Sequence, residues 1–496
     1  MKTSAAKIAG SSLWLSSGFV FSRCLQLVAQ IVLARLLLAE DFGVWALVLV
    51  LTNLSTLFRD GAIAQVLIQK GLDDKRLVDA VYSLGINISV GLFILQTLVG
   101  FPLARFFDAP IVWPLSACAG IVFLIGAGAG SHGAVLGRQM RFKELALCNA
   151  LAGVARFSGT VACAVAGGGV WAFVAGEVAM AVVDSVLKRA LSGYRFTYHL
   201  FPDPIAIREV RGFIAGILGV NLAVQVNTNS DNLVVGRLLG TADLGYYNVA
   251  YQLAMLPVFV LSQINRVNFS VLARLENEAR QAYVCRALEL CALLSAPVYG
   301  VAFVCAPWAI PWLYGPDWLE AVVVFQTVLV FAYARGFMGI LGTALNVLNK
   351  PGTNAFINWV LVPLSIPAYL VGAWLGGTTG VAIAVVAVMG VGATLWFWLA
   401  TCRAAGWPVG IFVQPVMLPT LAIGVTVAWV FLMPLRPEFQ YTQPFAVLSI
   451  YAALLSLFSL GRIPQMLAST LKHALGLPEY DPADKQDADR SPIHKL

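Results

Sequence analysis

Charge is scarce in this sequence. Charged residues make up 11% of its 496 residues, against about 25% in ordinary globular proteins. Hydrophobic residues make up 59%, so a water-soluble chain of this length would lack the polar side chains that cover a surface. The composition excludes a set of soluble domains. Together with its long apolar stretches, it predicts an all-α polytopic membrane protein.

Motifs of the common catalytic and energy-coupling sites are also missing. The sequence contains no GxxxxGK[ST] loop for nucleotide phosphates, no HExxH or GxSxG motif and no closely spaced cysteine pair for a metal. We therefore expect no enzyme activity, no metal and no cofactor. We also expect no nucleic-acid partner, because an excess of basic residues in an apolar chain is typical of cytoplasmic loops.

Apolar stretches of about 20 residues, enough to cross a bilayer, recur along the whole chain. We predict fourteen transmembrane spans, near residues 12–34, 43–67, 80–103, 111–135, 144–166, 169–191, 212–238, 244–268, 285–310, 319–346, 355–375, 379–402, 415–434 and 444–461. The segments between them are too short to hold a soluble catalytic domain.

Lysine and arginine are distributed unevenly between the two sides of these spans. If the N-terminus is inside, the outer segments hold only Arg35, Arg105, Arg237 and Arg436, whereas the inner segments hold most of the 32 Lys and Arg residues. Basic residues accumulate in cytoplasmic loops. The pattern therefore predicts that both termini are cytoplasmic.

The outer turn after the first span is repeated after the seventh. Residues 33–47 (LARLLLAEDFGVWAL) resemble residues 235–249 (VGRLLGTADLGYYNV) at a constant spacing of 202 residues. Asp41 and Asp243 are predicted to cap the helices that follow these turns. The repeat unit is six helices, which predicts two parallel, pseudo-symmetric lobes, a plan that holds a substrate site between the halves. We assign residues 1–200 to an N-lobe, 201–405 to a C-lobe, 406–461 to two further helices and 462–496 to a cytoplasmic tail.

Four arginines fall inside predicted spans: Arg23, Arg59, Arg156 and Arg335. An ionisable side chain at the bilayer centre costs at least ~2.5 kcal/mol, so such residues usually face a water-filled cavity. Guanidinium groups match phosphate oxygens in a bidentate geometry, so we predict that these arginines bind an anionic substrate. Structural ion pairing remains open for each of them.

Three acidic residues within the spans are candidates for ion coupling or for ion pairs with the arginines: Asp60, Glu177 and Asp231. A buried carboxylate binds and releases protons readily because burial disfavours its charged form. Asp231 also lies in a polar run with Asn227, Asn229, Ser230 and Asn232 that lipid would not tolerate.

Several segments of the chain resemble one family of membrane transporters. They include RLLLAEDFGVWAL, FRDGAIAQVLIQK (58–70), GRQMRFKELAL (137–147), SDNLVVGRLLGTADLGYYNVAYQLAMLP (230–257) and LYGPDWLEA (313–321). In order, they are similar to the polysaccharide transporter family, which contains the Wzx-type flippases of the multidrug/oligosaccharidyl-lipid/polysaccharide exporter superfamily. The similarity extends over roughly residues 10–400.

This resemblance implies a flippase in a bacterial inner membrane. Its substrate would be an undecaprenyl-diphosphate-linked oligosaccharide repeat unit for exopolysaccharide, capsule or O-antigen, moved by alternating access between two six-helix lobes with two extra helices. The resemblance also implies that Asp60 and Asp231 occupy positions that are typically acidic in this family. Its candidate partners are H⁺ or Na⁺, membrane lipid, and a polymerase with other polysaccharide assembly proteins.

Other functions compete with this interpretation. A cation-coupled exporter of small drugs from the same superfamily would share the two-lobe plan. Such an exporter is expected to have twelve helices and a mainly acidic cavity, whereas this sequence predicts fourteen spans and four arginines inside them. A membrane glycosyltransferase or polymerase would need a large outer loop or a nucleotide-sugar motif. No feature of the sequence specifically favours a scaffold protein without transport activity.

Overall fold

The computed structural model describes residues 18, 21–60, 66–67, 72–259, 261–262, 271–273, 275–432 and 442–458. Every regular element within these ranges is a helix, which confirms the all-α prediction. The start of the first predicted span, the end of the last one and the predicted tail 462–496 lie outside the described residues.

The described residues include fifteen α-helices that we number in chain order. They are α1 (Phe21–Ala34), α2 (Ala39–Asp60), α3 (Lys75–Phe106), α4 (Val112–Ile125), α5 (Ala129–Arg138), α6 (Phe142–Val165), α7 (Trp171–Ser192), α8 (Pro204–Leu238), α9 (Thr241–Ala254), α10 (Asn277–Tyr314), α11 (Ala321–Val347), α12 (Pro351–Val385), α13 (Ala393–Ala405), α14 (Val413–Leu432) and α15 (Gln443–Phe458). A π-helical segment, Val386–Gly392, joins α12 to α13.

By length and composition, seven helical segments among the described residues can cross a membrane, or eight if α4 and α5, bent by 44°, form one span. The protein is therefore a multi-pass membrane protein. One of the seven segments is the 55-residue stretch Pro351–Ala405. Its helix is interrupted at Gly376 and Gly377, where φ reaches 58° at Gly377, a value that side chains disfavour. The sequence predicts a boundary between two spans at this point. The total of fourteen spans stays a prediction.

The chain divides into two compact units. One contains Met1–Cys291 and Ala306–Ile411, and the other contains Ala292–Cys305 and Phe412–Leu496. The first unit contains the predicted N-lobe and the predicted C-lobe except Ala292–Cys305, which belongs to the second unit. The boundary between the two lobes stays a prediction. Within the second unit, Val304, Val430 and Val447 form a buried cluster, and the Tyr451 hydroxyl donates to the Leu293 carbonyl at 3.3 Å.

The two repeated turns pack directly against each other in the first unit. A Cβ built on Gly43 would lie 1.7 Å from the Thr241 carbonyl oxygen, and one built on Gly245 would lie 1.8 Å from the Ala39 carbonyl oxygen. Thr241 and Gly245 are the repeat equivalents of Ala39 and Gly43, so the contact is reciprocal. Only glycine permits α2 and α9 to approach this closely.

The arginines of the repeat also make reciprocal contacts. Arg35 donates through Nε to the Leu313 carbonyl at 3.0 Å, at the end of α10. Arg237 pairs with Asp108 at 2.9 Å, just past the end of α3. Each arginine thus reaches the end of a helix in the other predicted lobe.

The predicted helix caps in this repeat are corrected. Helices α2 and α9 begin at Ala39 and Thr241, so Asp41 and Asp243 lie inside the first turn rather than before it. Asp41 still accepts a hydrogen bond from the Leu38 amide at 3.1 Å.

The connection between the predicted lobes is bound along one face of α3. Asp79 accepts from the Thr197 amide and Ser83 accepts from the His199 amide, each at 3.0 Å, while Asn87 donates to the Leu200 carbonyl at 2.9 Å. These α3 residues are spaced by one helical turn. The connection ends at Asp203, which caps α8 and pairs with Arg76. The hydrogen bond that Asp203 accepts from the Arg76 side chain lowers the pKa of Asp203 to about 2.

Candidate functional site

Arg156 of α6 pairs with Glu177 of α7. Their side chains are 29% and 14% exposed, so the pair is largely withdrawn from solvent. Gly176 permits this geometry, because a Cβ there would lie 1.9 Å from the Thr160 hydroxyl and 3.0 Å from the Arg156 carbonyl. The structural ion pair that the sequence left open is therefore present at Arg156.

Arg23 of α1 lies near this pair. It donates to the Gln26 side chain at 2.8 Å, and its guanidinium stands 4.2 Å from the centre of the Phe259 ring, a cation–π geometry. Its positive charge is repelled by that of Arg156. Glu177 compensates the Arg156 charge, and Arg23 lies within electrostatic range of this ion pair.

A small cavity, the seam cavity, lies beside Arg156. Its polar lining comes from both predicted lobes and consists of Ser22, Gln26, Gln30, Arg156, Thr160, Asn248 and Gln252. Its volume is about 60 Å³, which admits only a few water molecules. The Gln30 amide nitrogen is buried there without a hydrogen-bond partner among the described residues. These side chains offer hydrogen-bond donors and acceptors, but the cavity is too small in this conformation for a sugar.

Arg335 of α11 lines a larger cavity, the C-lobe cavity, of about 550 Å³. Its polar lining includes Tyr251, Asn354 and Asn358. Phe259 also lines it, and this ring contacts Arg23. The volume is in the range of pockets that hold small ligands, roughly 300–1,000 Å³.

Asp231 is 2% exposed and accepts a hydrogen bond from the Tyr247 hydroxyl at 2.8 Å. Arg335 lies close enough to attract the carboxylate electrostatically. Three nearby polar oxygens, on Asn227, Ser230 and Asn232, are buried without a hydrogen-bond partner in the described part of the chain. An unsatisfied buried polar group costs about 1–3 kcal/mol. A proton bound to Asp231 would neutralise the carboxylate and add one hydrogen-bond donor.

The remaining predicted residues lie elsewhere or cannot be placed. Arg59, at the end of α2, lines a third cavity of about 450 Å³ inside the N-lobe, and its guanidinium is 5.3 Å from the Phe123 ring centre. The Asp60 side chain lies outside the described residues. The structure thus groups Arg23, Arg156 and Glu177 at one location and places Arg335 in the lining of the C-lobe cavity. Asp231 is buried within electrostatic range of Arg335, and Arg59 lies apart.

Sequence reasoning missed the amides of the seam cavity. Gln26 and Gln30 are four residues apart on α1, and Asn248 and Gln252 are four residues apart on α9. Amide pairs at one-turn spacing within apolar helices lie on one helix face. A search for uncharged polar residues at membrane depth would have found them.

Comparisons with known proteins agree with this architecture. A family of polysaccharide biosynthesis proteins matches residues 32–323. Lipopolysaccharide biosynthesis protein WzxC of Escherichia coli (strain K12) is 25% identical over 381 residues, covering 75% of this chain and 76% of WzxC. Succinoglycan biosynthesis transport protein ExoT of Rhizobium meliloti (strain 1021) is 24% identical over 344 residues, covering 68% and 67%.

A solved structure shows the same fold. The inward closed conformation of lipid II flippase MurJ superposes with a TM-score of 0.68, covering 90% of this chain and 98% of that one at 14% identity. This chain therefore shares the fold of that flippase. Because the family match covers more than half of the sequence, this chain belongs to that family of polysaccharide biosynthesis proteins.

Proposed function

We propose that this protein is a flippase, not an enzyme, that moves an undecaprenyl-diphosphate-linked oligosaccharide from the inner to the outer leaflet of a bacterial inner membrane. The observation that carries the proposal is the grouping of Arg23 and Arg156 beside a polar cavity lined by both repeated halves. Relatives named for polysaccharide biosynthesis and transport, and the fold shared with a lipid II flippase, support the same substrate class.

The arginines would bind the diphosphate. Arg156 already holds a carboxylate, Glu177, which occupies the position that a phosphate oxygen would take. Exchange of Glu177 for substrate would leave the arginine charge compensated in both states, and this keeps the cost of burying it low. Arg23 would add a second guanidinium, and Arg335 would contact the sugar or phosphate in the C-lobe cavity.

Alternating access would separate the two halves. The seam cavity is too small for an oligosaccharide, and α2 and α9 are in tight contact at the predicted outer ends. Transport would therefore require the reciprocal contacts of Gly43 and Gly245 to open, together with the Arg35 and Arg237 contacts that accompany them.

Asp231 is the proposed coupling residue. Its carboxylate and the unsatisfied oxygens around it suit H⁺ or Na⁺, whose binding would weaken the attraction between Asp231 and Arg335. A polymerase and other polysaccharide assembly proteins would consume the exported unit. The distribution of basic residues supports cytoplasmic termini.

The test is the fate of the lipid-linked intermediate in a deletion strain. We expect the intermediate to accumulate in the inner leaflet, inaccessible to an external lectin, and export to return with the wild-type gene. Normal leaflet distribution in the deletion strain would refute the flippase assignment. A change in drug susceptibility without such accumulation would favour the drug exporter.

A further inference from the structure

The C-lobe cavity has a row of side-chain amides in its lining. The row consists of Asn346 at the end of α11 and of Asn354 and Asn358 near the start of α12. Asn354 and Asn358 are one helical turn apart, so they lie on one face of α12. We call these three residues the amide row. All the described residues that line this cavity belong to the first compact unit.

Hydrogen bonds join the three amides to one another. The Asn354 amide nitrogen donates to the Asn346 side-chain oxygen at 3.1 Å, and the Asn358 amide nitrogen donates to the Asn354 side-chain oxygen at 3.0 Å. At the two ends of the row, the Asn346 amide nitrogen and the Asn358 side-chain oxygen have no hydrogen-bond partner among the described residues. The row therefore offers a ligand a donor at one end and an acceptor at the other. A hydroxyl group can bond to either end, because it both donates and accepts.

The rest of the described lining is mostly uncharged. The Thr228 and Thr343 hydroxyls donate to carbonyls of their own helices at 2.7 and 2.8 Å, which leaves their oxygens able to accept. Phe259 and Phe397 add apolar ring faces, a combination of apolar walls and a few polar groups that is typical of ligand pockets. Arg335 is the one charged side chain among the described lining residues, and Asp231 attracts it.

This lining favours a hydroxyl-rich ligand over the alternatives. A lipid chain in the cavity would leave the ends of the amide row without partners, and buried polar groups without partners are costly. A diphosphate would be bound better by several cations than by neutral amides. Sugar rings have hydroxyl groups around their edges and C–H groups on their faces, so they match both the amides and the aromatic rings.

The cavity also adjoins the proposed diphosphate site. Helix α9 contributes to both cavities, with Gln252 in the lining of the seam cavity and Tyr251 in that of the C-lobe cavity. Phe259 lines the C-lobe cavity, and its ring contacts Arg23. The amide row lies beside Lys350, on the predicted cytoplasmic side, from which the headgroup of the substrate would enter.

We propose that the C-lobe cavity is the glycan subsite of this transporter and that the amide row recognises its sugars. The row would hydrogen-bond hydroxyl or acetamido groups of the sugar residues next to the diphosphate, while Arg23 and Arg156 bind the diphosphate itself. This inference rests on the proposed flippase function and adds the residues that distinguish a sugar-bearing lipid from a bare one. A site built to hydrogen-bond a hydroxyl discriminates strongly against a ligand that lacks it.

Two variants remove parts of the amide row. Asn354→Leu replaces the central amide with an apolar side chain of similar size. Asn346→Ala removes the donor at the exposed end of the row, where truncation disturbs packing least. The matched control is Asn149→Leu, because Asn149 is half-buried like Asn354 but lines the third cavity, which shares no described lining residue with the C-lobe cavity.

The experiment compares the affinity of the purified full-length protein in detergent for two lipids. One is the undecaprenyl-diphosphate-linked oligosaccharide extracted from the deletion strain, and the other is undecaprenyl diphosphate without sugar. Binding is followed by the rise in Tm as each lipid is titrated, because a ligand that binds the folded state stabilises it.

We expect the wild type and Asn149→Leu to bind the sugar-bearing lipid at least about tenfold more tightly than the bare lipid. Asn354→Leu and Asn346→Ala should each lose about tenfold in affinity for the sugar-bearing lipid, since each loses hydrogen bonds to the glycan, and should bind the bare lipid like the wild type.

The two lipids separate failure of this proposal from failure of the flippase assignment. If the wild type binds both lipids equally, or if both row variants keep the wild-type preference, the glycan subsite is overturned while the flippase assignment stands. Equal loss of affinity for both lipids in the row variants also overturns it, because the row would then not read the sugar. If the wild type binds neither lipid, both proposals fail. If Asn354→Leu does not fold, Asn346→Ala decides.

Discussion

At the scale of single residues, the main finding is that one predicted substrate ligand, Arg156, has a protein partner. A guanidinium paired with Glu177 is stabilised before substrate arrives, whereas an unpaired one would be costly to bury. The sequence shows both residues at membrane depth but cannot show that Gly176 brings α6 and α7 close enough to join them. Pairing across helices depends on packing, which single-sequence patterns do not encode.

The double variant Arg156→Gln/Glu177→Gln tests the role of this pair. It replaces two charges with two amides of similar shape, so neither partner is left buried and alone. We expect export to fall about tenfold or more, because hydrogen bonds to charged groups contribute about 1.5–3 kcal/mol. Membrane abundance should stay unchanged.

The matched control is Arg286→Gln/Glu289→Gln, which removes another arginine–glutamate pair, at 3.3 Å, away from the cavities described here. It should export normally. If the membrane abundance of Arg156→Gln/Glu177→Gln fell as much as its export, the pair would be assigned to folding rather than to substrate binding.

Asp231→Asn tests ion coupling. The amide has nearly the shape of the carboxylate and has no charge to bury, so we expect normal abundance. Because an amide neither binds a proton nor attracts a cation strongly, the export rate should no longer respond to an imposed H⁺ or Na⁺ gradient. The exposed Asp317→Asn should keep the wild-type response. An Asp231→Asn protein that still responds would exclude this residue from coupling.

At the scale of elements, the repeat is the feature that sequence reasoning predicted best. Identical residues at one spacing predicted equivalent turns, and the structure shows that these turns contact each other through Gly43 and Gly245. The prediction of the caps at Asp41 and Asp243 was wrong because both helices begin two residues earlier, at Ala39 and Thr241. Helix ends are set by local backbone contacts that hydrophobic periodicity does not report.

Gly43→Leu should force α2 and α9 apart. The new side chain would overlap the Thr241 carbonyl, so the outer contact could not close. We expect faster labelling by a water-soluble maleimide of a cysteine placed at Leu47, which is fully buried now, and reduced export. Gly91→Leu on the same background is the control. Unchanged labelling would show that the contact does not govern access.

The connection bound to α3 should loosen when its hydrogen bonds are removed. Ser83→Ala removes an acceptor for the His199 amide, and Asp79→Ala removes the one for Thr197. Each change should cost about 0.5–1.5 kcal/mol and speed trypsin cleavage at Arg195, which lies in this connection. Ser456→Ala, whose hydroxyl bonds within its own helix, should leave the cleavage rate unchanged. Equal cleavage in all variants would contradict this account.

At the scale of the whole molecule, composition and long apolar stretches predicted an all-α membrane protein, and the structure confirms it. The two-lobed plan that the repeat predicts stays a prediction. The sequence could not predict which of the candidate residues lie together around one cavity. The position of Arg23 within its predicted span shows that it lies away from the membrane surface. That position does not show which cavity the side chain enters. Arg59 shows the difference, since it also falls inside a predicted span and yet lines a cavity inside the predicted N-lobe.

The most direct measurement is leaflet transfer by the purified protein. It would be reconstituted into liposomes with an undecaprenyl-diphosphate-linked oligosaccharide on one side, and a membrane-impermeant lectin would report the other side. The account predicts transfer by the wild type and by Arg286→Gln/Glu289→Gln, and transfer slowed about tenfold or more in Arg156→Gln/Glu177→Gln. Equal transfer by all three proteins, or no transfer by the wild type, would contradict it.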